Sequence, residues 1–249
     1  MQMYRTQPGA MRRPSQKLGL APADELSGLA HELRNTIAPL ANALEVIGFA
    51  NADPDVARRM LAIAQRQVRQ MGRLVHDMLD TRRLANGEPE LQLMETTAQE
   101  LVEEAVRAWS HAATLRHHRL ELAMPARSLP VRADPVRMQQ VLGNVLANAI
   151  KYTPLGGRIR VRVSRSQGFA QVSISDNGIG IEPDQIERMF DPFRQDPRAR
   201  AICREGMGLG LAIARRLAEL QGGALEAQSA GADKGSTFTV SLPLRPEAP

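Results

Sequence analysis

From Pro22 onward, leucine and isoleucine return every three or four residues: Leu26, Leu29, Leu33, Ile37, Leu40, Leu44 and Ile47. That spacing is one stripe of an amphipathic helix, and Gly48 suits its end. Asp53 and Pro54 supply the N-cap and first-turn proline of a second helix. Its stripe runs Val56, Met60, Ile63, Met71, Leu74 and Met78, and Asn86-Gly87 closes it. Two long helices joined by a short loop make an αα-hairpin. A hairpin cannot bury both stripes by itself. Two copies paired into a four-helix bundle can, so a homodimer is expected.

Beyond residue 88 the period changes. Residues 88–95 read as a linker with a short strand. Thr97, with Glu100 three residues on, predicts a capping box opening a helix to about Ala113. Asp134-Pro135 opens another, to about Lys151. Ile159, Val161 and Val163 alternate with Arg158, Arg160 and Arg162, and Val172 with Ile174 repeats the pattern, so both segments are strands with one wet face. A helix is predicted over about 209–221, and strands near 223–229 and 236–242. The fold class is therefore α+β: a helical hairpin forming a dimeric bundle, then a two-layer α/β sandwich. The expected divisions are a flexible tail at 1–20, the hairpin at 21–87, the linker at 88–95 and the sandwich at 96–249.

Composition narrows the function classes. The 249 residues carry a net charge of +5, with 43% apolar and only 3% aromatic residues. No basic patch interleaves with aromatics, so nucleic acid is not an expected partner. One cysteine, Cys203, excludes an internal disulfide and fits a reducing, cytoplasmic setting. No apolar run is long enough to span a membrane, and no secretory signal is visible. The histidines lack ligand-like spacing with cysteines or acids, so no protein-only metal cluster is expected.

Four clusters in the second half carry candidate chemistry. Asn144, Asn148 and Lys151 share one face of the 135–151 helix, beside Tyr152. An amide oxygen is a hard ligand, and Mg²⁺ takes few protein ligands while keeping waters and phosphates. Asp176, Gly178, Gly180 and Ile181 follow a strand, where a carboxylate can accept a bond from the exocyclic amine of adenine and repel the guanine oxygen. Phe190-Asp-Pro-Phe193 comes next, then Gly206-Met-Gly208-Leu209-Gly210-Leu211 at a helix start, where backbone N–H groups and the dipole favour anions. The polar, arginine-rich stretch between Phe193 and Gly206 suits a mobile lid.

In order and spacing, with Gly235-Ser-Thr237-Phe before the last strand, these clusters resemble the ATP-binding fold shared by histidine kinases, gyrase, heat-shock chaperone ATPases and mismatch-repair ATPases. The resemblance implies ATP as cofactor, with Mg²⁺ at Asn148 and adenine read by Asp176 beside Gly178, Gly180 and Ile181. It implies phosphate contacts from Asn144, Lys151, Tyr152 and the Gly206–Leu209–Gly210 turn, with Phe193 under the lid and Thr237 assisting at adenine through water.

Residues 31–35 separate the siblings. His31-Glu32-Leu33-Arg34-Asn35 looks like the phosphoacceptor box of histidine kinases, and Leu74-Val-His-Asp-Met-Leu-Asp80 like the end of their second bundle helix. A neutral imidazole is a competent nucleophile, and Glu32 can hold the proton on its other nitrogen. The resemblance implies phosphorylation of His31 from Mg-ATP and transfer to an aspartate of a response regulator, with Asn35 assisting regulator dephosphorylation. Pro39, rather than a proline directly after Asn35, is expected to bend the helix. The competing readings are an ATPase that drives conformational clamping, and a nucleotide-binding dimer without catalysis.

Overall fold

The computed structural model describes residues 4–5, 22–49, 53–85, 90–202 and 207–245. It divides the chain into two compact units. Cys203, Gly206, Asn86-Gly87 and most of the expected tail lie outside the described residues.

The first unit is the hairpin. Helix α1 spans Pro22–Gly48, with Pro39 inside it, and α2 spans Pro54–Ala85. Asp53 caps α2 through the N–H of Asp55 at 2.7 Å. Among the described residues, those buried between the two helices are small or polar: Thr36, Ala43, Ala64 and Gln67. The expected stripe is only partly covered. Leu33, Leu40, Val56, Met60, Ile63 and Met71 are half-buried, whereas Ile37 and Leu44 stand exposed. A second apolar line at Leu61, Val68 and Val75, spaced by seven, is exposed as well. The sequence stripe had missed this line.

The second unit is a mixed α+β domain. Its six-stranded sheet has the order β1-β7-β8-β6-β5-β3. These are Tyr4–Arg5, Ala224–Ser229, Ser236–Pro243, Phe169–Asp176, Arg158–Ser166 and Arg119–Ala123. All neighbours are antiparallel except β3 with β5. A small second sheet pairs β2 (Met94–Thr97) with β4 (Pro130–Ala133). Helices α3 (Ala98–Leu115), α4 (Pro135–Tyr152) and α6 (Gly210–Leu220) cover one sheet face. The core between the layers is aliphatic: Leu142, Leu146, Ile159, Ile174, Ile213, Leu217 and Leu242 are all less than 2% exposed. That matches a chain poor in aromatics.

Local signals set the helix starts. Thr97 accepts from the Glu100 N–H, and the Glu100 carboxylate accepts from the Thr97 N–H, a complete capping box. Asp134 caps α4 ahead of Pro135. Four segments differ from expectation. Tyr4–Arg5, expected within a flexible tail, adds to the open edge of β7, where backbone groups would otherwise lack partners. Strands β3 and β4 were unforeseen, being short and paired with distant segments. The polar lid stretch holds a helix, α5 (Pro197–Ile202), started by the Asp196 carboxylate accepting from the Arg198 N–H at 2.7 Å.

Candidate functional site

Between the helix layer and the loops after β6 lies a cavity of about 310 Å³, within the range of small-molecule sites. Asn148 and Tyr152 of α4 form one wall. Asp176, Ser236 and Phe238 form the floor, and Gly180, Ile181 and Leu211 the rim. Arg188, Met189, Arg194 and Ala199 close the lid side.

Asp176 is the last residue of β6. The two-residue period turns it inward with the buried Ala170, Val172 and Ile174. Its Oδ2 accepts from the Ser236 hydroxyl at 2.6 Å, and its Oδ1 from the Gly178 N–H at 2.8 Å. Burial pushes its carboxyl above the ordinary aspartate value, and those hydrogen bonds pull partly back. The result is a fixed, partly desolvated acceptor on an otherwise apolar floor. Ser236 is a residue that sequence reading missed. Thr237, expected at this point, is one residue off the period. It faces the opposite side of the sheet and does not line the cavity. Asp176 and Ser236 are register partners on adjacent strands, which reading each strand alone does not reveal.

The turn after Asp176 is shaped by close backbone approach. Gly180 has φ of 65°, and a Cβ there would stand 2.0 Å from the Gly231 carbonyl oxygen. The Ile181 N–H donates to the buried Ser229 hydroxyl at 3.0 Å, which in turn donates to the Gly235 carbonyl at 2.7 Å. Ser229 thereby fixes the rim.

The α4 face is divided between two jobs. Asn148 lines the cavity half-buried, and its amide has no protein partner among the described residues. An unpaired amide oxygen aimed into a cavity suits a hard cation or a bound ligand. Asn144 does not line it. Its Nδ2 donates to the Gly210 carbonyl at 2.8 Å, tying α4 to the first turn of α6. Lys151 lies with its Nζ 5.0 Å from the centre of the Tyr152 ring and is likewise absent from the lining. Side chains three or four apart share a helix face, yet that face extends beyond the cavity.

The start of α6 has no side-chain cap, since Leu209 occupies the N-cap position and is itself buried. Its first N–H groups are therefore left for a ligand. Gly208 has φ of 71°, and a Cβ there would meet the Arg194 carbonyl at 2.4 Å. Phe193 adopts φ of 61° and lies outside the lining, whereas Arg194 faces the cavity. Of the cations on the lid side, Arg194 lies in the arginine-rich stretch expected to form a lid, whereas Arg188 was not singled out by the sequence. Phe190 beside them is buried under the Arg215 guanidinium, 4.7 Å from its ring centre.

In the hairpin, His31, Glu32 and Asn35 all lie on α1, with Asn35 one turn beyond His31 and exposed. The side chains of His31 and Glu32 fall outside the described set.

With this geometry in place, two family profiles match the chain. One is the His Kinase A phospho-acceptor domain, over residues 23–87. The other is the histidine kinase-, DNA gyrase B-, and HSP90-like ATPase, over residues 133–246. The virulence sensor protein BvgS of Bordetella bronchiseptica is 35% identical over 227 residues, covering 88% of this chain and 18% of that protein. The sensor histidine kinase WalK of Bacillus subtilis is 30% identical over 230 residues, covering 89% of this chain and 36% of that protein. The solved histidine kinase AdeS of Acinetobacter baumannii superposes with a TM-score of 0.65 at 25% identity, covering 87% of this chain and 98% of that one. The chain belongs to the two-component sensor histidine kinases. It spans well under half the length of the two curated relatives. Among the described residues, no helix is long and apolar enough to cross a membrane.

Proposed function

We propose that the chain is an ATP-dependent protein-histidine kinase that phosphorylates itself on His31 and passes the phosphoryl group to an aspartate of a response regulator. The observation that carries the nucleotide half is the Asp176 carboxylate, held by Ser236 and Gly178 on an apolar floor. It fits the exocyclic amine of adenine, with Ile181 and Phe238 beside the base. The uncapped α6 start, with Arg194 next to it, suits the phosphates, and Asn148 is the ligand for Mg²⁺. When bound, the cation supplies charge neutralisation at the phosphates. Lys151 and Asn144 are positioning residues in this scheme, since one lies over Tyr152 and the other holds Gly210.

In the transfer step, one imidazole nitrogen of His31 attacks the γ-phosphorus. The bond from phosphorus to the β,γ-bridging oxygen breaks, and ADP leaves. Glu32 holds the proton on the second nitrogen and balances the charge that develops on the ring. The phosphohistidine then gives its phosphoryl group to a carboxylate of the regulator. Asn35, exposed one turn on, orients a water in this scheme that hydrolyses the regulator's acyl phosphate to carboxylate and phosphate. The exposed line of Ile37, Leu44, Leu61, Val68 and Val75 supports a homodimer built through the hairpin.

The test is incubation of the full chain with γ-labelled ATP and Mg²⁺. Acid-labile, base-stable label is expected on the wild type and none on His31→Gln. Label that persists in His31→Gln overturns the acceptor assignment. Nucleotide binding with no label at all favours the silent scaffold. Asn148→Ala should abolish the Mg²⁺-dependent part of ATP binding.

A further inference from the structure

The sheet face turned away from the helices carries a feature that the nucleotide site does not use. On β5 the outward positions are Arg158, Arg160 and Arg162, all exposed, between the buried Ile159, Val161 and Val163. The parallel strand β3 sets Arg119 opposite Arg158, and Glu121 opposite Arg160. Alternate residues on a strand stand about 7 Å apart and adjacent strands about 5 Å. The strip therefore gathers four guanidinium groups around a single carboxylate. Glu121 pairs with Arg119 at 2.7 Å and with Arg160 at 3.0 Å. Arg158 and Arg162 have no ion-pair partner among the described residues.

The fold does not require this arrangement. Outward positions need only be polar, and the next strands meet that need with Ser173, Ser175, Thr237 and Thr239. Placing Arg119 directly opposite Arg158 costs stability through like-charge repulsion. We propose that the strip is a docking surface for an acidic segment of a partner protein, one whose carboxylates project from every second residue of an extended chain. Such a chain repeats its side chains at the spacing of Arg158, Arg160 and Arg162, and each guanidinium can take a carboxylate in bidentate fashion. The neighbouring serine and threonine rows offer it hydroxyl partners. A single-stranded nucleic acid fits less well. Stacking platforms need aromatics, and the aromatic on this face, Phe169, stands at the far end of β6, opposite Ser166. Glu121 would also repel a continuous phosphate backbone. A lipid surface fits less well again: of the exposed apolar side chains nearby, Leu122 lies on the opposite pleat, paired with Val161, and Phe169 stands at the far end of β6.

The experiment uses the full chain and a fluorescein-labelled peptide of alternating glutamate and serine, read by fluorescence anisotropy at low salt. Arg158→Ser with Arg162→Ser should weaken peptide binding about tenfold. The lysine pair Arg158→Lys with Arg162→Lys should fall between the wild type and the serine pair, since the charge stays and the bidentate fork is lost. An unchanged melting temperature and unchanged binding of trinitrophenyl-ATP would show the fold and nucleotide site to be intact. Removing two exposed arginines elsewhere, Arg66→Ser with Arg69→Ser on α2, should leave peptide binding as in the wild type. Absence of peptide binding by the wild type overturns the proposal. So does a strip variant that binds normally, or an α2 control that loses as much. A labelled oligothymidylate or a phosphatidylserine vesicle that binds more tightly than the peptide, and loses that binding in the strip variant, would also overturn it and make the surface a polyphosphate or lipid site.

Discussion

The two units of this chain handle apolar surface in opposite ways. The catalytic unit closes its own core, with large side chains such as Met138, Leu146, Ile174 and Leu217 shielded between sheet and helices. The hairpin buries alanine, threonine and glutamine between its two helices. It leaves Ile37, Leu44, Leu61, Val68, Val75, Met78 and Leu79 each 45% or more exposed. The α+β unit is a complete folding problem. The hairpin is half of one, and the proposed second copy would supply the other half.

The largest effect should come from attacking that incomplete half. Covering seven such side chains contributes on the order of 10 kcal/mol. Leu61→Asp with Val68→Asp puts two charges into the line that a second copy would cover. The expected outcome is a monomer by sedimentation equilibrium, with trinitrophenyl-ATP binding retained, because the nucleotide cavity lies wholly within the other unit. A variant that stays dimeric would break the comparison.

The complementary change attacks the complete half. Leu146→Ala removes a side chain that is 1% exposed, and should destabilise the catalytic unit by about 3 kcal/mol. Denaturant unfolding followed at Trp109, which lies in α3 of that unit, reads this directly. The dimer mass should not change.

The same contrast explains what the sequence disclosed. Helix starts in the catalytic unit are written in neighbouring residues, Thr97 with Glu100 and Asp134 with Pro135, so local reading finds them. The β5 alternation is local too. What escaped depends on pairing across long separations. Strand β3 finds its partner 39 residues on, with Arg119 opposite Arg158. Ser236 reaches Asp176 only because β8, 60 residues on, pairs with β6 in that register. Asn144 looked like a ligand of the cavity until α6 arrived beside it to take its amide. In the hairpin, the stripe of leucines read from sequence was correct as a helical pattern. It did not reveal the seven-residue line that the fold leaves uncovered.

A smaller effect sharpens how local signals act. Thr97→Ala deletes one half of the capping box and should cost the catalytic unit about 1 kcal/mol. Circular dichroism melts would register it. No change in dimer mass is expected, since α3 is not part of the hairpin.

The smallest effect concerns a buried carboxylate that works against the stability of the catalytic unit. Asp176 sits where burial raises its carboxyl above the ordinary value of 3.8. The folded state therefore holds that proton more tightly than the unfolded chain does. The resulting stabilisation is fully present below the ordinary value and is lost as pH rises through the raised folded value. Once ionised, the buried carboxylate is a burden on the folded domain. Asp176→Asn keeps the shape and the bond from Gly178, and its amide can donate to Ser236 in place of the bond it loses. The variant's melting temperature should match the wild type near pH 3.8 and rise above it as the pH increases toward neutrality. Adenine nucleotide binding should meanwhile collapse, because the new amide faces the exocyclic amine with a donor in place of an acceptor. A melting difference that shrinks with rising pH would show that the raised carboxyl is not what limits this unit. Retained ATP binding would move adenine recognition elsewhere in the cavity.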